Sequence, residues 1–443
     1  MKNFRKSLLA ILASLVMVFG FVGTSFAGVM MQGFYWDPPA GGTWYDTMKS
    51  KAYELSQAGF TAIWFPSPTK GMGGGYSMGY DVYDHYDLGE YNQKGTIETR
   101  FGSRAELEAA IQAYKNAGMQ TIVDTVMNHM MGADEAEYNP YTGTETWTKF
   151  DYVHDKFEKN YEHFHPNVTH NTTSEPYYGG QFEPDICFYN DYNYMGNGLK
   201  EWSKWLKIDI GFDGYRLDFV KGMQPDYLKS WKNTWPMSSS FTVGEYWDGN
   251  RDTLNWWANE VGMHVFDFDL FYTLKDMANS NGAFDMRGLN DAGLIEINPG
   301  RAVTFVENHD TDEHDPVTTN KMMAYAYILT HEGYPTVFWK DYYNYGLKDA
   351  INNLVWIHEN LAEGSTSNLY SDADLYIAQR NGGKGLVVGL NDSDSWRSQW
   401  VQTRYTNTTL KDYTGQANDA WADGNGWVEL WIPPKGYTVW STY

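Results

Sequence analysis

Four short islands carry the side chains able to do chemistry: Asp124-Thr-Val-Met-Asn128-His129, Gly214-Tyr-Arg216-Leu-Asp218-Phe-Val-Lys221-Gly222, Gly244-Glu245-Tyr-Trp and Phe305-Val-Glu-Asn308-His309-Asp310. Each sets a carboxylate, or a His/Asn pair, at or just past the end of a short apolar run rich in β-branched or aromatic residues. A parallel α/β barrel keeps its chemistry at such strand ends. Asp218 and Glu245 close successive strands, the fourth and fifth, so a barrel brings them together across its mouth. Two carboxylates so placed suit acid–base and nucleophilic work once their environments push their pKa values apart. A neighbouring anion and partial burial favour the protonated form of Glu245, while Arg216, on the same strand face as Asp218, orients Asp218 and holds it as an anion.

The elements that must position these residues follow a repeated grammar. Ser103-Arg-Ala-Glu106 reads as a capping box, with Leu107, Ile111 and Tyr114 on one helical face and Gly118 as the stop. A β-like run, Gln120 to Val126, follows and ends at Asn128-His129. The same order of helix, glycine and strand recurs at Leu55 to Gly59 before Phe60 to Phe65, and at Leu199 to Gly211 before Phe212 to Leu217. Such units imply βα connections and a parallel sheet. Further strands are expected at Val29 to Trp36, Phe241 to Val243, His264 to Phe268, Ala302 to Val306 and Pro335 to Trp339. These complete the set of eight for a (β/α)8 TIM barrel in an α/β chain.

Between about Met130 and Asn197 the rhythm breaks, so residues 130–197 are expected to form an irregular β-rich domain inserted after strand three. From about Glu363, short alternating runs such as Leu375-Tyr-Ile-Ala lie between Gly/Asn/Asp turns. Residues 363–443 therefore read as a C-terminal antiparallel β-sandwich domain. The barrel is expected over 28–129 and 198–362. Residues 1–27 have a basic head, an apolar stretch from Leu8 to Val22 and a small-residue exit at Ala27, which reads as a secretory signal peptide and predicts a secreted, extracellular protein.

The chain of 443 residues is 42% hydrophobic, enough to bury a large core. Fifty-six acidic against 33 basic residues give a net charge of −23, which argues against nucleic acid and anionic membranes as partners. Aromatic residues make up 17%, with 19 Trp and 34 Tyr, a composition suited both to a core and to stacking on the apolar faces of sugars. The single Cys187 excludes an internal disulfide. A monomer is expected.

The order and content of the four islands resemble the four signature regions of the α-amylase family of retaining glycoside hydrolases, with the closest look being to compact archaeal and bacterial liquefying members. The resemblance covers essentially the whole chain after residue 27. It implies endo-acting hydrolysis of internal α-1,4-glucosidic bonds in starch and related glucans with retention, Asp218 as nucleophile, Glu245 as acid/base and Asp310 as a third carboxylate that distorts the sugar and stabilises positive charge. Splitting a glycosidic bond with retention needs two carboxyl groups roughly 5–5.5 Å apart. By the same resemblance His129 and His309 hydrogen-bond sugar hydroxyls, Tyr80 in Gly75-Tyr-Ser-Met-Gly-Tyr80-Asp81 stacks on the sugar ring, Arg216 belongs to the substrate site and Lys221 meets the leaving sugar. Gly222 stands where a His is commoner. Rival readings are a transglycosylase or α-glucosidase of the same family, and a non-catalytic sugar-binding relative. Retention of Asp218, Glu245 and Asp310 together speaks against the last.

The resemblance also implies metals. Asn128, Asp185 and the Gly222 carbonyl match positions that bind a structural calcium, an oxygen-only set suited to that ion. Glu175 substitutes for a further acidic ligand, because the stretch between His170 and Asp185 is longer than in the archaeal pattern. His165-Pro-Asn-Val-Thr-His170, followed by Pro184-Asp185-Ile-Cys187, resembles the stretch where thermostable archaeal members bind zinc beside the calcium, giving His165, His170 and Cys187 as zinc ligands.

Overall fold

Eight parallel strands close into a barrel in strict chain order: β1 (Met30–Gln32), β2 (Ala62–Phe65), β3 (Gln120–Thr125), β4 (Gly214–Leu217), β5 (Phe241–Gly244), β6 (His264–Phe266), β7 (Ala302–Phe305) and β8 (Tyr334–Phe338), with β8 pairing back to β1. The structure is a computed structural model, described for residues 28–151, 158–165 and 192–443. Nearly every strand residue is buried, as expected of a parallel sheet covered by helices outside and filled by side chains within. All eight expected strands are present, most a residue or more shorter. The first ends at Gln32, where the Gly33 N–H makes a last bond to Trp64 O and the chain lifts away towards Trp36. The sixth stops at Phe266, because the Asp267 side chain accepts from Leu270 N–H and caps the helix Phe268–Asn279.

Local chemistry explains the connections. Ser103 and Glu106 form the reciprocal capping box at the start of the helix Arg104–Asn116, and Leu107, Ile111 and Tyr114 are buried. Gly59 and Gly211 end their helices with φ of +101° and +104°, conformations in which glycine carries no Cβ penalty. After β3, the described part of the intervening segment is an antiparallel hairpin, Glu135–Asn139 with Thr144–Lys149, followed by a bridge between Phe150 and Lys159. Phe150 and Phe164 anchor it in the main core.

The last part of the chain is antiparallel: β9 (Thr366–Ser371), β10 (Leu375–Arg380), β11 (Val387–Asn391), β12 (Arg397–Gln402), β13 (Thr408–Asp412), β14 (Ala420–Ala422), β15 (Trp427–Ile432) and β16 (Gly436–Ser441). A six-stranded sheet, ordered β9-β10-β11-β16-β13-β14, faces the pair β12–β15. A second core lies between them, built from Leu375, Ile377, Val401, Leu430, Ile432 and Trp440 among others. Among the described residues no helix is long and apolar enough to cross a membrane.

Candidate active site

Strand register places the acidic side chains. Leu217 of β4 pairs with Gly244 of β5, so the next residues, Asp218 and Glu245, stand level on adjacent strands. The ladder continues through them: Asp218 N–H donates to Thr125 O at 2.9 Å, and Glu245 N–H to Leu217 O at 2.9 Å. Neighbouring strands lie about 4.8 Å apart, so the two side chains leave the barrel mouth side by side.

Arg216 binds them together. Its Nη1 donates to Asp218 Oδ1 at 2.6 Å and to Asp124 Oδ1 at 2.8 Å, and its Nη2 pairs with Glu245 Oε1 at 2.8 Å. The side chain is only 1% exposed, so the guanidinium lies beneath the carboxylates and organises them from behind. Asp124 is held there by two more donors, Trp64 Nε1 at 3.1 Å and Tyr80 OH at 2.8 Å. Burial raises its pKa to about 6 despite the cation. Glu245 is pushed up to about 8, chiefly by burial, with the anions of Asp218 and Asp310 adding to it and Arg216 opposing. Burial likewise raises Asp310.

Backbone strain adds one contact. Phe219, directly after Asp218, has φ of +44°, the left-handed region that a bulky residue seldom enters. The turn aims its N–H at Glu245 Oε2, 3.0 Å away.

A cleft of about 630 Å³ opens above this cluster, lined by Trp36, Tyr80, His129, Asp218, Phe219, Glu245, Trp247, His309 and Asp310 among others. Tyr80 stacks on His309 with ring centres 5.4 Å apart and 11° between planes, and Trp36 tilts onto both. Gln32 Nε2 donates to His309 Nδ1 at 3.0 Å, so His309 Nε2–H donates to Tyr80 Oη at 2.8 Å, and the Tyr80 hydroxyl donates in turn to Asp124 Oδ2. Burial and Arg216 hold His309 neutral, its pKa far below the ordinary value. His129 Nε2 donates to Tyr80 O at 2.8 Å, fixing the loop that carries Tyr80. Aromatic walls over a floor of carboxylates and imidazoles fit a ligand with apolar faces and many hydroxyls.

Of the expected site residues, Tyr80, His129, Asp218, Glu245, His309 and Asp310 thus meet in one cleft. Arg216 lies behind its wall. Lys221 is tied to Asp248 Oδ2 and Trp247 O, both at 3.1 Å, beside the strand-five loop. Sequence reasoning missed Asp124 as the acceptor at the centre of the network, together with Gln32, Trp36, Trp64, Phe219 and Trp247. Asp124 alone carried a signal, as the one charged residue of its strand.

For the metals, Asn128 and Gly222 come together: a Cβ added to Gly222 would lie 2.3 Å from Asn128 Oδ1. Asn128 Oδ1 therefore lies against the Gly222 backbone in space that a side chain at 222 would fill, and both residues bring oxygen donors of the kind calcium takes. His165 is half-buried after Phe164. Glu175, Asp185, His170 and Cys187 lie outside the described residues. Among the described residues no group of three or more His, Cys, Asp or Glu side chains is arranged to hold a metal.

Comparison with known proteins agrees with this geometry. Residues 46–341 match the family model described as alpha amylase, catalytic domain, and residues 386–441 that of the alpha-amylase C-terminal domain. An alpha-amylase of Geobacillus stearothermophilus is 32% identical over 94% of this chain and 87% of its own length. A glucan 1,4-alpha-maltohexaosidase of Bacillus sp. (strain 707) is 29% identical over 93% of this chain and 92% of its own. Among solved structures, the alpha-amylase of Geobacillus thermoleovorans complexed with acarbose superposes with a TM-score of 0.69 at 17% identity, over 94% of this chain and 98% of that one. A three-domain cyclomaltodextrin glucanotransferase reaches 0.71 at 21% identity, over 94% and 99%, a likeness of fold alone. With the catalytic model spanning most of the chain and the signature residues gathered in one cleft, this chain belongs to the α-amylase family of glycoside hydrolases.

Proposed function

We propose that this protein is a secreted, endo-acting α-amylase that hydrolyses internal α-1,4-glucosidic bonds of starch with retention of configuration. The observation that supports it most is the level placement of Asp218 and Glu245 on one guanidinium, with Glu245 held up to about 8. At neutral pH Glu245 carries the proton and delivers it to the glycosidic oxygen, while the Asp218 carboxylate attacks the anomeric carbon from the other side. Once Asp218 is esterified its negative charge is gone, and with it one of the influences that raise Glu245. The acid that has just given its proton is then stable as an anion and takes a proton from the incoming water, whose attack releases Asp218. Two inversions restore the α configuration.

The remaining residues bind and orient. Tyr80 and Trp36 offer ring faces to the sugar at the point of cleavage, His129 and neutral His309 stand beside its hydroxyls and exchange their bonds to Tyr80 for bonds to the sugar when it enters, and Asp310 adds negative charge near the developing cation. Lys221 meets the leaving sugar from its anchor on Asp248. A calcium ion held by Asn128, the Gly222 carbonyl, Asp185 and Glu175 would supply structural cross-linking. A zinc ion on His165, His170 and Cys187 would do the same. The N-terminal 27 residues act as the export signal, and the enzyme works as a monomer.

A relative named as a glucan 1,4-alpha-maltohexaosidase, and a transferase neighbour of the same fold, define the rivals. A time course on amylose separates them. Loss of iodine colour well ahead of reducing ends supports internal cutting by hydrolysis. Colour that falls only in step with one short product, or cyclic products without new reducing ends, contradicts it.

A further inference from the structure

The outer face of the C-terminal sheet carries exposed indoles in a row that the cleft does not use. β15 reads Trp427-Val-Glu-Leu-Trp431-Ile, and its alternation sends Val428, Leu430 and Ile432 into the second core and Trp427, Glu429 and Trp431 outward. On β12, Trp400 pairs with Glu429, Gln402 with Trp427 and Ser398 with Trp431, so all six share that outer face. β14 returns as β15 through a tight turn in which Asp423 N–H donates to Trp427 O at 2.9 Å. Trp421 of β14 is exposed as well, but it pairs with Thr409 of β13 in the facing sheet and is not part of this face.

We propose that the outer face of β12 and β15 is a second carbohydrate site that holds a chain of α-glucan apart from the catalytic cleft. The choice of ligand as α-glucan rests on the function proposed above; the site itself rests on the face. Trp400, Trp427 and Trp431 are 55%, 43% and 49% exposed. Together they offer about 300 Å² of indole surface, taking roughly 200 Å² for a whole ring system. That is less than half of the ~800 Å² each partner contributes to a stable protein interface, so a second copy of the chain is a poor occupant. Between the rings stand Ser398, Gln402 and Glu429, groups that hydrogen-bond hydroxyls, and no aliphatic side chain interrupts them. Trp427 and Trp431 are about 13 Å apart along the strand, with Trp400 opposite the midpoint. This spacing matches several linked sugars and exceeds one. The net charge of −23, with Glu429 at the centre of the face, repels nucleic acid and anionic lipid, and leaves a neutral polyhydroxylated chain as the complementary ligand.

The test compares the full-length parent with W400A/W427A/W431A, and with W400A and W431A singly, by retardation in native gels containing soluble starch and by adsorption to insoluble starch. The cleft is common to all, so any difference reports the face. Retardation roughly ten-fold weaker in the triple variant, with smaller losses in the singles and unchanged turnover of a short maltooligosaccharide, is the expected result. Equal retardation and adsorption overturn the proposal, as does a parent that is dimeric and a triple variant that is monomeric by light scattering. A parent that binds starch through these tryptophans yet fails to cleave it would sink the catalytic reading and leave this site standing.

Discussion

Asp218 and Glu245 share one guanidinium, 2.6 Å from Nη1 and 2.8 Å from Nη2 of Arg216, so two neighbouring carboxyl groups of opposite task are fixed by a single buried cation. Their difference comes from surroundings. Glu245 is more deeply enclosed and faces two anions, which makes it the group that keeps a proton at neutral pH.

The alkaline limb of kcat/KM is therefore expected to report Glu245. Activity should fall as pH rises through about 8, where the folded enzyme loses this proton. Stability shifts the same way. The folded state binds the proton more tightly than the unfolded chain, so the contribution is complete below the ordinary Glu range and is lost as pH rises to about 8. Asp124, raised to about 6, adds the same sign over a lower window. An alkaline limb that survives unchanged in a variant lacking Glu245 would assign it elsewhere.

Glu245→Gln keeps the shape and removes the proton. We expect a rate loss of roughly two to four orders of magnitude, with substrate affinity and melting temperature close to the parent. Asp218→Asn should cost at least as much, since no glycosyl ester can form. Near-parent turnover of starch by either variant would contradict the assignment.

Asp124→Ala is expected to fail through position. Arg216, Tyr80 OH and Trp64 Nε1 all lose an acceptor in a buried site, and the cost to stability should be about 3–5 kcal/mol. Asp124→Asn, which keeps an acceptor oxygen, should recover much of the melting temperature while kcat stays depressed and KM moves little. Equal stability of parent and Asp124→Ala by denaturant titration would show the network to be dispensable.

Chelation tests the metals. The calcium proposed on Asn128 and Gly222 would sit one residue from His129, which fixes the Tyr80 loop, so its removal should lower melting temperature and activity together. Cys187→Ser should reduce heat resistance with little change in room-temperature rate if zinc is held there. Elemental analysis of protein purified without added metal gives the direct reading. A metal-free sample of unchanged melting temperature contradicts the calcium site, and absence of zinc with a freely titratable thiol contradicts the second.

Much of this architecture was legible in the sequence, because apolar runs ending in polar islands dictate strands that feed a mouth, and Ser103 with Glu106 dictates a helix start. Register did the rest, since Leu217 opposite Gly244 is a property of the closed barrel and of no single segment. The network behind the cleft was hidden for the same reason. Gln32 and Trp64 look like core residues of apolar strands, and their polar atoms acquire meaning only when His309 and Asp124 arrive from far along the chain. Nothing in Phe219 announces a left-handed backbone. The alternation in Trp427-Val-Glu-Leu-Trp431 was readable as a strand, but which face met solvent depended on the sheet packed behind it.

The central claim is a double displacement by Asp218 and Glu245, and the anomeric form of the first product tests it most directly. Proton NMR of a fresh digest of a maltooligosaccharide, recorded before mutarotation, should show the α-anomer appearing first and the β-anomer growing in afterwards. An initial β-anomer would mean a single inversion with water placed between more distant carboxyl groups, and would contradict the account.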